Sequence, residues 1–447
     1  MSRWIEHFNP EDEIFWEKEG KRIARRNLIW SILAEHIGFS VWMMWSVVAP
    51  RLPKVGFHYT TDQLFTLVAV PGLVGALLRF PYTFAVPRFG GRNWTIVSAL
   101  LLLIPASLLI LLVNRPDTPF GVMLAAAATA GFGGGNFASS MANISFFYPD
   151  KKKGLALGLN AAGGNIGVSS VQLFVPIVIA AGVGGGLHLA NAGLVWLPAI
   201  VVASIGAAAF MDNLSGAKSN FKDQVVVMRQ KHTFIMSILY VATFGSFVGY
   251  SAAFPLLIKT QFPAVTANLA FLGALVGSLA RPLGGFIADR LGGARVTFWN
   301  FIAMALLTLG VLHFVELKDF RGFLVMFLLL FVTTGIGNGS TFRMIPVIFR
   351  EKALRGAGSA PEQKAAALVT ARRETAAVLG VSSAIGAVGG YFIPRGFGAS
   401  IKATGGPSTA LFWFFGYYVV CVALTWWYYR RTRFLASRMP SLARANA

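Results

Sequence analysis

The chain has 447 residues, 55% of them hydrophobic and only 13% charged, with a mean hydropathy of +0.63. A soluble domain cannot solvate that much apolar surface, so the composition predicts a polytopic membrane protein with no room for a soluble catalytic or regulatory domain. The formal charge of +21 would point a soluble protein toward nucleic acid, but here the basic residues sit in short segments between apolar runs, which excludes that partner.

Residues 1–26 are charged and mixed. They lack the apolar core and small-residue cleavage site of a secretory signal, so they read as a cytoplasmic segment ahead of a retained first span. Apolar runs near the ~20 residues that a crossing helix needs follow at 27–50, 64–88, 95–114, 118–147, 154–182 and 188–211. Six more lie at 233–258, 266–289, 294–314, 320–348, 365–395 and 407–430. The expected fold is an all-α polytopic membrane protein of twelve transmembrane helices in two pseudo-symmetric six-helix bundles, 27–211 and 233–430. A cytoplasmic connector at 212–232 joins them and a cytoplasmic tail, 431–447, follows.

Lys21, Arg22, Arg25 and Arg26 precede the first span, and Arg88, Arg92, Lys151–Lys153, Lys218, Lys222, Arg229, Lys231, Arg290, Arg295, Arg350, Lys352 and Arg355 fill alternate loops. With Arg430, Arg431 and Arg433 after the last span, the positive-inside rule places both termini in the cytoplasm. The one cysteine, Cys421, excludes a disulfide framework and a cysteine-based metal site. No cofactor or metal site is expected, and twelve spans make a monomer sufficient.

The first span carries Glu35 and His36, the acid and the histidine so placed in the first half. The second span carries Arg79, and the eighth carries Arg281 in nearly the same sequence. Aligned on the arginines, Leu73, Val74, Gly75, Leu77, Phe84, Arg88, Gly90, Gly91 and Thr95 recur as Leu275, Val276, Gly277, Leu279, Phe286, Arg290, Gly292, Gly293 and Thr297. Gly131, Gly133 and Gly135 in span four likewise match Gly335, Gly337 and Gly339 in span ten, so the chain reads as two copies of one unit. Glycine is abundant in spans four, five, ten and eleven, where small residues let helix backbones approach closely. Span five also holds Asn160 and Asn165, and Asn165, the deeper of the two, is the better candidate to meet a substrate.

A charge in hydrocarbon costs ~2.5–3.5 kcal/mol even on the lenient insertion scale, so such a residue faces a bundle interior or a wet cavity. Each arginine lies about 8–9 residues, or roughly 13 Å, from the cytoplasmic end of its helix. An arginine keeps its charge at any accessible pH, and few acids lie at comparable depth to neutralise the pair. The expected site is therefore an anion pocket between the halves, and a planar oxyanion suits the guanidinium fork, which donates two parallel bonds. Arg343, Arg372, Arg373 and Glu374 lie near the inner ends of spans ten and eleven and read as partners in interdomain salt bridges.

Four stretches make the resemblance specific: NFASSMANISFF from Asn136, LGLNAAGGNIGVS from Leu157, LYVATFGSF from Leu239 and AIGAVGGYFIP from Ala384. Over essentially its whole length the chain resembles the nitrate/nitrite porter family of the major facilitator superfamily. The resemblance implies that Arg79 and Arg281 are the substrate-binding pair, with Asn165, Tyr240, Phe137 and Phe39 at the pocket and Gly163, Gly164 and Gly386 on the signature helices. Tyr240 then donates its hydroxyl to an oxyanion, and the two phenylalanines sandwich a planar ion. Asp289 and Arg290 look like the superfamily's gating loop motif, although the first-half copy has Pro87 in place of the acid.

The expected function is transport of nitrate and nitrite, not enzymatic catalysis, by rocker-switch alternating access. If no group on the path titrates, the outcome is nitrate/nitrite exchange. The alternative is nitrate/proton symport through Glu35 or His36. Carriage of another small or organic anion is a further alternative, and a channel would lack saturable flux.

Overall fold

The computed structural model describes residues 3–181, 186–217, 226–358, 360–432 and 442; Lys218, Lys222 and Arg433, expected at the cytoplasmic face, lie outside them. Among the described residues the fold is all-α apart from one short strand pair. Eleven helices among the described residues are long and apolar enough to cross a bilayer. The remaining expected span, the fourth, is two helices, Phe120–Thr129 and Gly131–Phe147, meeting at Ala130. Its glycines and the amides of Asn136 and Asn143 dilute the apolar run that marks the others.

Helix ends follow local chemistry. Span two, Thr61–Phe89, opens on a reciprocal capping box between Thr60 and Gln63. Span ten, Phe320–Gly356, opens on Asp319, whose side chain accepts from Arg321 N at 2.9 Å. Its 37 residues reach about 55 Å at 1.5 Å each, well beyond a hydrocarbon core of ~30 Å. Spans two and eight both end at a glycine with positive φ, Gly90 at 86° and Gly292 at 88°. Only glycine adopts that backbone without strain, which accounts for its recurrence in both copies.

Two spans are irregular where they matter later. Span one runs over Lys21–Trp42, bends at Met43 and ends in a short helix, Met44–Val48, and a 3-10 turn, Ala49–Val55, where Pro50 and Pro53 offer no N–H to continue an α-helix. Span seven is Lys231–Tyr240, a π-helical turn at Val241–Gly245, and Ser246–Gln261. Such π turns are rare, and they occur often at functional sites.

The helices group into two compact units. The first comprises Met1–Ser219, Val248–Leu275 and Gly390–Gly405, so it takes in the later parts of spans seven and eleven. Those parts are tied to the earlier spans by polar bonds: Gln172 Nε2 donates to the Ser251 carbonyl at 2.7 Å, and Arg395 donates to Asp62 at 2.8 Å and to Thr66 at 2.6 Å. Residues Trp4–Ile5 pair in parallel with Asn213–Leu214, and Trp16, Phe147 and Leu214 share a small core with Phe8. The N-terminal segment is thus folded back onto the end of span six, where Arg26 and Asn27 both bond Asp212.

The second unit comprises Asn220–Phe247, Val276–Gly389 and Gly406–Ala447. Its helix crossing repeats one in the first unit. Span four meets span two where a Cβ on Gly131 would press on Val74 and lie 2.8 Å from the Gly75 nitrogen. Span ten meets span eight where a Cβ on Gly335 would press on the Gly277 carbonyl and lie 2.9 Å from Ala280 Cβ. The duplication read from the sequence is therefore also a duplication of backbone contact.

Candidate functional site

In the first unit the span two–span four crossing positions Arg79. The residue is fully buried at 0% exposure, and its Nε donates to the Gly134 carbonyl at 3.1 Å. Gly134 reaches that place because it has no side chain; a Cβ there would lie 2.8 Å from Trp42 Nε1. The guanidinium carbon sits 4.6 Å from the centroid of the Phe137 ring and 5.7 Å from that of Trp42. Phe39 stacks near-parallel to Phe137 at 6.1 Å and lies 5.2 Å from Trp42. An aromatic wall therefore flanks the cation, and the ring faces favour its charge where water does not reach.

Asn165 lies on span five at 1% exposure, and neither its amide oxygen nor its nitrogen has a hydrogen-bond partner among the described residues. Asn160 differs. Its amide donates to Glu35 Oε2 at 2.8 Å and also bonds Ser140, which itself donates to Glu35. Glu35 thus ties spans one, four and five together. His36 bonds the Gly163 carbonyl through Nδ1 at 3.1 Å. The signature glycines of span five serve this approach: a Cβ on Gly164 would lie 2.7 Å from Glu35 Cγ, and one on Gly163 would press on Ile32. Both glycines face span one, so the place the structure gives them is a helix contact.

In the second unit Arg281 is 6% exposed, and its Nη2 donates to the Tyr240 hydroxyl oxygen at 3.3 Å. Because a guanidinium only donates, this bond leaves the tyrosine proton for another acceptor. Tyr240 stacks on Phe244 at 5.4 Å and lies 5.7 Å from Phe342, and the same two rings flank the Arg281 guanidinium at 5.9 and 5.7 Å. Gly386 makes room for Tyr240; a Cβ there would lie 3.2 Å from its Cε1. The π turn at Val241–Gly245 follows Tyr240 directly and carries Phe244.

Asp289 pairs with Arg343, both about half exposed, and Arg290 lies over Phe286 at 4.2 Å. The Arg343 pair joins spans eight and ten of one unit, not the two halves as expected, because both side chains project from adjacent helices that cross at Gly335. Glu374 accepts from Gln230, again inside that unit. Sequence reasoning missed Trp42, Phe244 and Phe342. Trp42 and Phe244 each stand about one turn from a named residue, Phe39 and Tyr240, and that spacing was the available signal.

A family model described as Major Facilitator Superfamily matches residues 37–359. A nitrate/nitrite transporter NarU of Escherichia coli K12 is 46% identical over 96% of this chain and 97% of its own length. The chain belongs to the nitrate/nitrite porter family of the major facilitator superfamily. A probable nitrate/nitrite antiporter NarK2 of Thermus thermophilus is 36% identical to this porter, again over 96% and 97% of the two chains. In fold the porter resembles the xylose transporter XylE of E. coli in a partially occluded inward-open conformation, with a TM-score of 0.65 over 91% of this chain and 97% of the other at 12% identity. The relatives and the fold are those of a transporter, and this multi-pass membrane protein is not an enzyme.

Proposed function

We propose that the porter carries nitrate and nitrite across a cytoplasmic (inner) membrane by rocker-switch alternating access, exchanging one anion for the other. In this reading both termini are cytoplasmic, one copy of the chain suffices and no nucleic acid is bound. The six-helix halves 27–211 and 233–430 are the parts that rock, and the Asp62 to Arg395 pair must part when the later end of span eleven leaves span two. The observation that carries the reading is the matched pair of buried arginines, each flanked by aromatic rings, one in each copy of the repeat. Such a setting favours a small, flat, weakly hydrated anion, and nitrate and nitrite are both of that kind. The test is uptake of labelled nitrate into proteoliposomes loaded with nitrite or with an inert anion, with and without an inward proton gradient. Uptake that needs internal nitrite and ignores the gradient is expected; gradient-driven uptake into nitrite-free vesicles would replace exchange with symport.

Two further outcomes follow from the same assignment. Tyr240→Phe removes both the acceptor for Arg281 and a donor for the anion, so the half-saturating nitrate concentration should rise ~10–100-fold, the worth of a hydrogen bond to a charged group. The concentration dependence of exchange measures it. Symport through Glu35 is the second reading, motivated by a carboxylate buried in span one. Its bonds to Ser140 and Asn160 favour a structural role, so Glu35→Gln, which keeps an acceptor oxygen, should retain at least about half of the exchange rate, since surviving neutral bonds are worth only ~1 kcal/mol each. Loss of gradient-driven uptake with intact exchange in that variant would instead make Glu35 the proton carrier.

A further inference from the structure

Span ten carries a second amide in the same condition as Asn165. Asn338 is 1% exposed, and neither its oxygen nor its nitrogen has a hydrogen-bond partner among the described residues. The sequence around it, TTGIGNGSTF, gives no sign of this, and its counterpart in the first copy is Gly134, whose carbonyl receives Arg79. Its direction follows from its neighbours on the helix. At about 100° per residue, Asn338 falls on the face between Thr341 on one side and Gly335 and Gly339 on the other. Thr341 reaches Thr243 of the π turn, with the hydroxyls 3.2 Å apart. Gly335 and Gly339 lie against span eight, a Cβ on Gly339 falling 2.5 Å from the Gly285 nitrogen and close to the Arg281 carbonyl.

One turn beyond Asn338 on this face stands Phe342, the ring 5.7 Å from both the Arg281 guanidinium and Tyr240. The amide therefore faces the wedge between spans seven and eight, beside the Arg281 and Tyr240 group. A buried amide with no partner costs stability and persists where something else supplies its bonds. We propose that Asn338 is a substrate-binding residue whose amide N–H donates to an oxygen of the transported oxyanion at the Arg281 and Tyr240 group. The assignment rests on nitrate and nitrite being the cargo. It gives the second unit an amide donor beside its arginine.

The test uses the full chain purified in detergent, with thermal unfolding followed as nitrate or nitrite is added, and exchange measured in proteoliposomes. Asn338→Leu replaces the amide by an apolar group of similar volume. It should unfold at the wild-type temperature or above without anion, because an unmet buried amide is gone. It should need at least about tenfold more nitrate for the same stabilisation and half-maximal exchange, a difference of ~1.4 kcal/mol. Asn338→Asp keeps the shape and adds a like charge, so it should lose the anion-dependent shift altogether. Wild-type nitrate dependence in either variant would overturn the assignment, as would a lower unfolding temperature for Asn338→Leu with unchanged anion dependence, which would make the amide structural. A wild-type protein stabilised by neither anion would sink the cargo assignment, whereas variants matching a responsive wild type sink Asn338 alone.

Discussion

Lysine at position 79 or 281 is expected to lower nitrate/nitrite exchange at least ~100-fold while the protein still inserts and unfolds at a near-native temperature. The charge is conserved, so electrostatics alone predicts little change. Geometry predicts a large one. Arg79 uses Nε to hold the Gly134 carbonyl, and Arg281 uses Nη2 to hold Tyr240. In each case a planar group is held by a bond to the protein and stands among aromatic faces, a setting that suits a flat anion met edge on. A lysine ammonium is a strongly hydrated point charge on a flexible stem, and it cannot anchor and present two parallel donors at once. Losing one bidentate, charge-assisted contact is worth ~3 kcal/mol, or about two decades in affinity. Counterflow measured at saturating and subsaturating nitrate checks the outcome, and exchange within a few-fold of wild type in either variant would remove the paired-arginine site.

Much of this fold is legible in the amino-acid order because a bilayer imposes length. Every apolar run but the fourth falls on a helix long enough to cross among the described residues, and the words shared around Arg79 and Arg281 became the same crossing twice, at Gly131 and at Gly335. The arginines stood out because a permanent charge at mid-helix has to face a bundle interior or a wet cavity. What stayed hidden depends on contacts between distant segments. The break at Ala130 leaves no proline signal, and the π turn at Val241–Gly245 lies in an ordinary apolar run. Pairing of Trp4–Ile5 with Asn213–Leu214 depends on a partner some two hundred residues away. Gly163 and Gly164 stand on a signature helix, and a Cβ on them would meet Ile32 and Glu35; a small residue marks close approach without saying what approaches. Asn338 was invisible for a related reason, since an amide among glycines carries no mark of whether its bonds are met.

That ambiguity over glycine leads to the second large effect. Gly335→Val should abolish recovery of monodisperse, anion-responsive protein, whereas Gly121→Val and Gly416→Val should leave both yield and exchange unchanged. All three glycines lie in membrane helices and all three changes add the same branched side chain, so intrinsic helix preference is common to them. They differ in what the new atoms meet. At Gly121 and Gly416 nothing stands within 4 Å of a Cβ. At Gly335 the first added carbon already presses on the Gly277 carbonyl and lies 3.0 Å from its carbon, a backbone atom that has no rotamer by which to retreat. Overpacking of side chains costs ~1–3 kcal/mol, and a clash with backbone at a helix crossing costs more, because relief requires spans eight and ten to separate. Separation would also break the Asp289 to Arg343 pair, which joins those two helices. The loss should therefore appear as failed folding and not as a change in affinity. Size-exclusion profiles and nitrate-dependent unfolding of the three variants, prepared side by side, measure it. A monodisperse Gly335→Val protein with wild-type exchange would show that the crossing tolerates a gap the structure does not contain.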